Sequence, residues 1–229
     1  MATVTLGSVA RVPSGPDVWA HVGQRQSGSW VAWLSSGVAG VSGTVVTVDD
    51  DRLLDCPGDI PPSGLIDALS EWPFERLASW ARVEIGSVIV IVGDGVAARR
   101  VADACHRRGA LACGIWGSPD AVDAADVVVP RDADVRRALA CPLDAVIVLA
   151  ADEATVVKSL SLPRDRGVVV ISAPTGLKID VDLYPDLHRR GLTVTIASPH
   201  VHGRDDRAEW DTMARRIVRL RQLPALPRR

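Results

Sequence analysis

The chain is expected to fold as a doubly wound, mostly parallel α/β sheet preceded by a small β-rich segment. Two observations predict it. From residue 87 onward six apolar runs recur: 87–93 (SVIVIVG), 110–116 (ALACGIW), 126–130 (DVVVP), 144–150 (DAVIVLA), 167–173 (GVVVISA) and 192–198 (LTVTIAS). Near-continuous apolar runs, rather than alternating ones, suit parallel strands covered on both faces. Helical stretches lie between them at 95–108, 118–125, 132–140, 152–161 and 182–190, with a last one near 205–221. That spacing is the one right-handed βαβ crossovers need, and six strands in two halves make a doubly wound sheet.

The segment before this sheet has a different texture. Residues 1–61 hold β-rich stretches broken by Gly, Ser and Pro, such as SWVAWLSSG and GTVVTVDDDRLLDCPGDIPP, and are expected to form a reduced antiparallel unit. Residues 62–86 are expected to be linker helices, with Ser63 as N-cap and Pro73 kinking or dividing the run. Residues 87–222 are then the α/β domain, and the Pro- and Arg-rich 223–229 a tail. Within the domain, CHRRG and LHRRG have the form of helix C-termini, with basic residues facing the dipole and glycine as the stop. His106 and His188 are expected there on solvated faces.

Bulk composition narrows the function classes. With 229 residues and 47% hydrophobic content the chain can bury a substantial core. A net charge of −2 offers no broad attraction to nucleic acid or to an anionic membrane, and neither is expected as a partner. Positive charge is almost all arginine, Lys158 and Lys178 being the only lysines. Cys56, Cys105, Cys113 and Cys141 are widely spaced, without a C-x-x-C pair, and are expected to be buried free thiols. The first residues lack the charged and apolar regions of a signal peptide, and no apolar run approaches the ~20 residues that cross a bilayer, so a cytoplasmic location is expected.

The strongest motif follows the first of the six runs. GDGVAA at 93–98 fits G-x-G-x-x-G/A, with Gly93 for the turn, Gly95 for approach of backbone to a pyrophosphate, and Ala98 for close helix packing. A Rossmann-like reading follows, with phosphates held at the helix start near Gly93, Gly95 and Val96. A dinucleotide site also needs a carboxylate at the end of the second strand for the ribose hydroxyls. Trp116, Gly117 and Ser118 stand there instead, Asp120 comes slightly late, and no Arg or Lys is close in sequence to take a 2′-phosphate. Trp116 could stack on an adenine or plug a disused pocket. Asp94, inside the turn, must point away from any pyrophosphate.

In order along the chain, ARVEIGSVIVIVGDGVAARRVADACHRRGA, DAVIVLAADEATV, RGVVVISAPTG, VDLYPDLHRRGLTVTIAS and PHVHGRDD resemble the cofactor domain of zinc-type medium-chain alcohol dehydrogenases and reductases. TVVTVDDDRLLDCPGDIPP is similar to that superfamily's passage from catalytic domain into linker helices. The resemblance spans about residues 43 to 222 and is specific to the superfamily, not to a substrate. It implies an NAD(P)(H) cofactor, a small-molecule substrate and a homodimer joined through the last strand, 192–198. Departures are equally definite. Members carry an N-terminal GroES-like domain with catalytic Cys and His-Glu zinc ligands, whereas here the β-rich segment is reduced. Glu71 matches a position that is a carboxylate ligand in some members, but Cys56 does not match a ligand, and His21 is the only upstream histidine. Catalytic zinc needs three converging ligands and one open position, and no such set can be assembled, so no metal is expected.

Ligands of doubly wound sheets bind beyond the carboxyl ends of the strands. That rule selects Gly93, Gly95, Val96, Trp116, Ser118, Ala150 and Ala173 as cofactor-binding candidates. It also selects the loop SPHVHGRDD, where His200 and His202 could be acid and base with Asp205 or Asp206 orienting one of them. The same loop also reads as a solvated surface turn in which Asp205 or Asp206 caps the final helix. Two functions stay open at this point. One is a zinc-independent NAD(P)(H) oxidoreductase acting on a small carbonyl or alkene compound. The other, with no dinucleotide bound, is a non-redox cyclase, isomerase or small-molecule binder of dehydrogenase ancestry in a biosynthetic pathway.

Overall fold

The computed structural model describes residues 1–11, 18–36, 42–117, 125–149, 152–172, 177–197 and 204–222. They fall into two compact units, Met1–Pro73 with His200–Arg229, and Phe74–Pro199. In the first unit, strands β1 (Ala2–Arg11), β2 (Val18–Arg25), β3 (Trp30–Ser36), β4 (Val45–Val48) and β5 (Leu54–Asp55) form an antiparallel sheet in the order β4-β1-β2-β3-β5. Val4, Leu6, Val31, Trp33 and Leu53 form its apolar core.

One continuous helix, α1 (Pro62–Trp80), follows. Pro73 was expected to kink or divide it; it does not divide the helix, which continues without a break through the proline. The apolar side chains on both sides of the proline, Leu69, Trp72, Phe74 and Leu77, are buried, so packing offsets the lost backbone hydrogen bond.

The second unit holds the six parallel strands predicted from the apolar runs. These are β6 (Val88–Val92), β7 (Ala112–Trp116), β8 (Val127–Val129), β9 (Ala145–Val148), β10 (Val168–Ile171) and β11 (Thr193–Ile196). Their order is β11-β10-β9-β6-β7-β8, so the chain winds outward from β6 to β8, crosses back to β9, and winds outward again. The winding reverses between β6 and β9, and in doubly wound sheets ligands bind beyond the carboxyl ends of the strands at such a reversal. All residues of β9 and β10 are buried, as strands covered on both faces must be.

Between the strands lie α2 (Gly95–Arg107), α3 (Val135–Leu139) and α4 (Glu153–Leu160), and α5 (Arg204–Gln222) follows the sheet. The helix expected at 182–190 is a π-helical turn over Leu183–His188, and the one expected at 118–125 lies outside the described residues. Gly109 and Gly191 take positive φ of 96° and 62° just after the two basic helix ends. His106 is half-buried rather than solvated, because its imidazole lies 3.4 Å from Asp126. A hydrogen bond with the Cys113 thiol, chiefly, holds that imidazole above its ordinary pKa. Cys105 and Cys113 are buried thiols, Cys56 is half-buried, and Cys141 is exposed, against expectation, on the turn before β9.

Two buried polar groups constrain stability. In the first unit, His21 stacks on Trp33 at 5.0 Å between ring centres and meets the Ser35 hydroxyl through Nε2 at 2.7 Å. Its Nδ1 is buried without a hydrogen-bond partner. Burial lowers its pKa from 6.5 to about 4. An unfolded chain therefore binds this proton near pH 6.5 while the folded chain refuses it until about pH 4, so stability falls across that window as pH drops. The loss should approach about 3 kcal/mol by the acid end. Urea unfolding at pH 7 and pH 4.5 should show that slope, and His21→Gln should flatten it; an unaltered slope would place the acid sensitivity elsewhere.

In the second unit, Glu75 of α1 is 1% exposed and receives Arg107 Nε at 2.8 Å, with Arg108 Nε 3.5 Å away. Removing a buried ionic partner leaves its mate uncompensated, so Glu75→Ala should lower unfolding free energy by roughly 3 kcal/mol. A change under about 1 kcal/mol in urea titration would mean the arginines are solvated instead.

Candidate functional site

The crevice at the reversal of the sheet is built by three strand ends. After β6 the chain turns through Gly93, Asp94 and Gly95 into α2. Gly93 packs against Leu149, which follows β9, and its N–H donates to the Trp116 carbonyl at 3.2 Å. Gly95 has φ +68°, a conformation costly for any side chain, and among the described residues, its chain neighbours and its own helix backbone aside, no heavy atom lies within 4 Å of the place where its Cβ would stand. The described residues therefore leave the space at Gly95, in the first turn of α2, unfilled, and Val96 in that turn is 52% exposed.

Asp94 occupies the N-cap position of α2, a site that aspartate favours, yet it makes no side-chain cap hydrogen bond. Other aspartates behave differently. Asp134 accepts the amides of Arg136 and Arg137, Asp152 accepts that of Thr155, and Asp182 accepts that of Tyr184. The Thr155 amide, foremost, holds Asp152 below the usual carboxylate range. Asp94 instead turns its carboxylate towards β7, where it pairs with the Arg131 guanidinium. The expectation that Asp94 points away from a phosphate at α2 agrees with this geometry.

The end of β7 explains how the carboxylate fits there. Gly117 donates its N–H to the Val129 carbonyl at 3.0 Å, and a Cβ on Gly117 would overlap the Gly93 carbonyl oxygen and Asp94 Oδ1. Only glycine lets the two turns lie in contact. Beside it Trp116 is 4% exposed, and its indole Nε1–H donates to the Arg131 carbonyl at 3.2 Å. Lys158 Nζ lies 4.6 Å from the Trp116 ring centre, a cation–π arrangement. Val92, Trp116, Arg131, Thr155 and Lys158 border a cavity of about 170 Å³. That is smaller than the ~300 Å³ at which small-molecule sites begin, so Lys158 must swing aside before a base can lie on the Trp116 face.

A larger cavity of about 550 Å³ lies at the other end of the sheet, bordered by Arg136, Cys141, Pro163, Arg164, Asp165 and Arg190. Its arginines are tied into the fold. Arg190 bonds the carbonyls of Leu160 and Pro163 and pairs with Asp165, Arg136 bonds the Ser161 carbonyl, and Arg164 pairs with Asp144 at 2.7 Å. Size notwithstanding, the smaller cavity is the candidate site, because it lies at strand carboxyl ends and beside the open start of α2.

Of the residues selected from sequence, Gly93, Gly95, Val96 and Trp116 line this end of the sheet. Ser118, Ala150, Ala173, His200 and His202 lie outside the described residues; Asp205 falls in the first turn of α5, with its side chain outside them too. Two residues were not anticipated. The sequence reading finds no Arg or Lys near the end of the second strand, but folding brings Arg131 from the end of β8 and Lys158 from α4 to Trp116. Applying the strand-end rule to β8 as well would have found Arg131; Lys158, one helical turn from Ala154 and Thr155, carries no signal in sequence.

Among the described residues no three His, Cys, Asp or Glu side chains converge as metal ligands, and no helix is long and apolar enough to cross a membrane. Glu71 is buried in α1, and burial, first, pushes the Cys56 thiol up to about 12.

No protein-family model matches the chain, and no curated protein does. Solved structures do match. Alcohol dehydrogenase TADH from Thermus sp. ATN1 is 15% identical, with 95% of this chain and 81% of that one covered, at a TM-score of 0.68. L-idonate 5-dehydrogenase from Escherichia coli is 14% identical, with coverages of 94% and 80% and a TM-score of 0.64. A short chain alcohol dehydrogenase from E. coli CFT073, complexed with cofactor NADH, is 11% identical, with coverages of 94% and 80% and a TM-score of 0.67. In fold, this chain is like these dehydrogenases, and like others described as zinc-binding, over most of its length.

Proposed function

We propose that the protein is an NAD(P)(H)-dependent oxidoreductase of the medium-chain type, working without zinc on a small carbonyl or alkene compound. One observation carries the reading. Among the described residues nothing fills the space at Gly95 in the first turn of α2, and the aspartate that would ordinarily cap the helix is drawn off to Arg131. Backbone amides at a helix start, with the dipole behind them, favour a pyrophosphate. Gly93, Gly95 and Val96 would hold it, and Trp116 would carry the adenine once Lys158 moves, base–aromatic stacking being worth about 1–3 kcal/mol.

Hydride exchange is the chemistry the nicotinamide supplies when bound; the chain's part is to hold it and to exclude water. By their order in the sequence, His200, His202 and Asp205 are the proposed acid and base, and Ser118, Ala150 and Ala173 the remaining proposed cofactor contacts. Ile196, 76% exposed on edge strand β11, supports a homodimer formed by pairing two such edges.

The smallness of the 170 Å³ cavity favours a second reading, a non-redox small-molecule enzyme or binder in which Trp116 and Lys158 are a permanent plug. Titration with NADH and NADPH, followed by nicotinamide fluorescence, separates the two. Micromolar binding of either is expected, and none at millimolar cofactor would overturn the dehydrogenase reading. Gly95→Asp should weaken binding at least tenfold, with thermal melting confirming that the variant folds; unchanged affinity would move the phosphate site elsewhere.

A further inference from the structure

We propose that Asp94 is the ribose-binding carboxylate of this site, supplied by the first turn instead of by the end of the second strand, and that the site therefore takes an unphosphorylated adenosine ribose, NAD(H) rather than NADP(H). This rests on the dinucleotide reading above. In doubly wound dinucleotide folds the ribose hydroxyls meet an acid just beyond the second strand. Here β7 ends in Trp116 and Gly117, and the position holds no acid.

The space is nevertheless filled by one. A side chain leaving the backbone at Gly117 would begin in contact with Asp94 Oδ1, so the Asp94 carboxylate stands where the first atoms of an acid at 117 would stand. The arrangement is held from several sides. Gly93 N–H bonds the Trp116 carbonyl, Gly117 N–H bonds the Val129 carbonyl, and Arg131 pairs with the carboxylate while its own carbonyl takes the Trp116 indole. Asp94 has extended backbone, φ −128° and ψ 169°, which aims its side chain across to β7 and away from the amides of α2.

Position and charge then select the ligand. The Asp94 side chain is 38% exposed, and a carboxylate has about four acceptor sites, so pairing with Arg131 is compatible with accepting two ribose hydroxyls. A 2′-phosphate in the same place would set like charges against each other. Arg131 has a second consequence: without the Asp94 charge, its guanidinium would face that phosphate directly.

Affinities of NADH and NADPH for the natural chain and for Asp94→Asn, each checked by thermal melting, test this. The expected result is tighter NADH than NADPH binding in the natural chain, by tenfold or more. In Asp94→Asn, NADH should weaken at least tenfold while NADPH holds or tightens. Equal or tighter NADPH binding by the natural chain would overturn the role given to Asp94 and leave the dinucleotide reading standing, and needs no variant to fold. Unchanged NADH affinity in folded Asp94→Asn would overturn it likewise. Failure of both cofactors to bind the natural chain would instead overturn the dinucleotide reading, and this inference with it.

Discussion

The carbonyl of Gly93 and the carboxylate of Asp94 rest against the α-carbon of Gly117, and the carboxyl end of the sheet is organised around that contact. With any larger residue at 117 the turn after β6 would lift off β7, breaking the 3.2 Å bond from Gly93 N–H to the Trp116 carbonyl. The same approach sets the direction of Asp94. Once the carboxylate lies over β7, Arg131 is its partner and the start of α2 is left without a side-chain cap. One missing Cβ thus decides the shape of the turn, the pairing of a charge and the openness of a helix terminus.

The amino ends of the strands are treated differently. Asp144 Oδ2 accepts Val88 N–H at 2.7 Å while its Oδ1 pairs with Arg164, and Asp126 Oδ2 accepts Cys113 N–H at 2.7 Å. Arg190 ties the loop before β10 through two carbonyls. Here acidic side chains take the first strand amides and arginines take the loop carbonyls, so polar groups at this end are consumed in holding the fold. At the other end, around Gly95, backbone is kept open. A cavity's volume is accordingly a poor guide to function in this molecule; what matters is whether the polar groups around it are already committed.

Much of the fold is legible in the sequence. Each of the six apolar runs contains a strand; for β9 and β10, buried along their whole length, the reason is that a strand covered on both faces has no polar side to interrupt it. The glycine turn is legible for the same local reason: strand, G-x-G and amphipathic helix lie in one unbroken stretch. What depends on packing is less legible. Pro73 signals a break, but the apolar residues around it bury so much surface that α1 continues. His106 sits in a basic, polar-looking segment, yet Cys113 of the following strand and Asp126 further along draw it halfway into the interior. The candidate site shows both behaviours, since Gly93, Gly95 and Trp116 stand out from neighbouring residues, while Arg131 and Lys158 reach Trp116 only through the winding of the sheet.

On the proposal that Asp94 takes the ribose, position-by-position reading is also what makes that carboxylate look lost. Judged alone, Gly117 is a deletion of function and Asp94 an unwanted negative charge near a phosphate. Judged together they are one exchange: an acid at 94 can reach the end of β7 only if 117 is glycine, and a glycine at 117 removes any local acid that could do the same work. In that reading neither change is useful without the other, because a side chain at 117 displaces Asp94, and a glycine at 117 with a neutral residue at 94 leaves Arg131 without this counter-charge. A ligand senses the position of a carboxylate and the charge around it, not the strand from which the carboxylate comes.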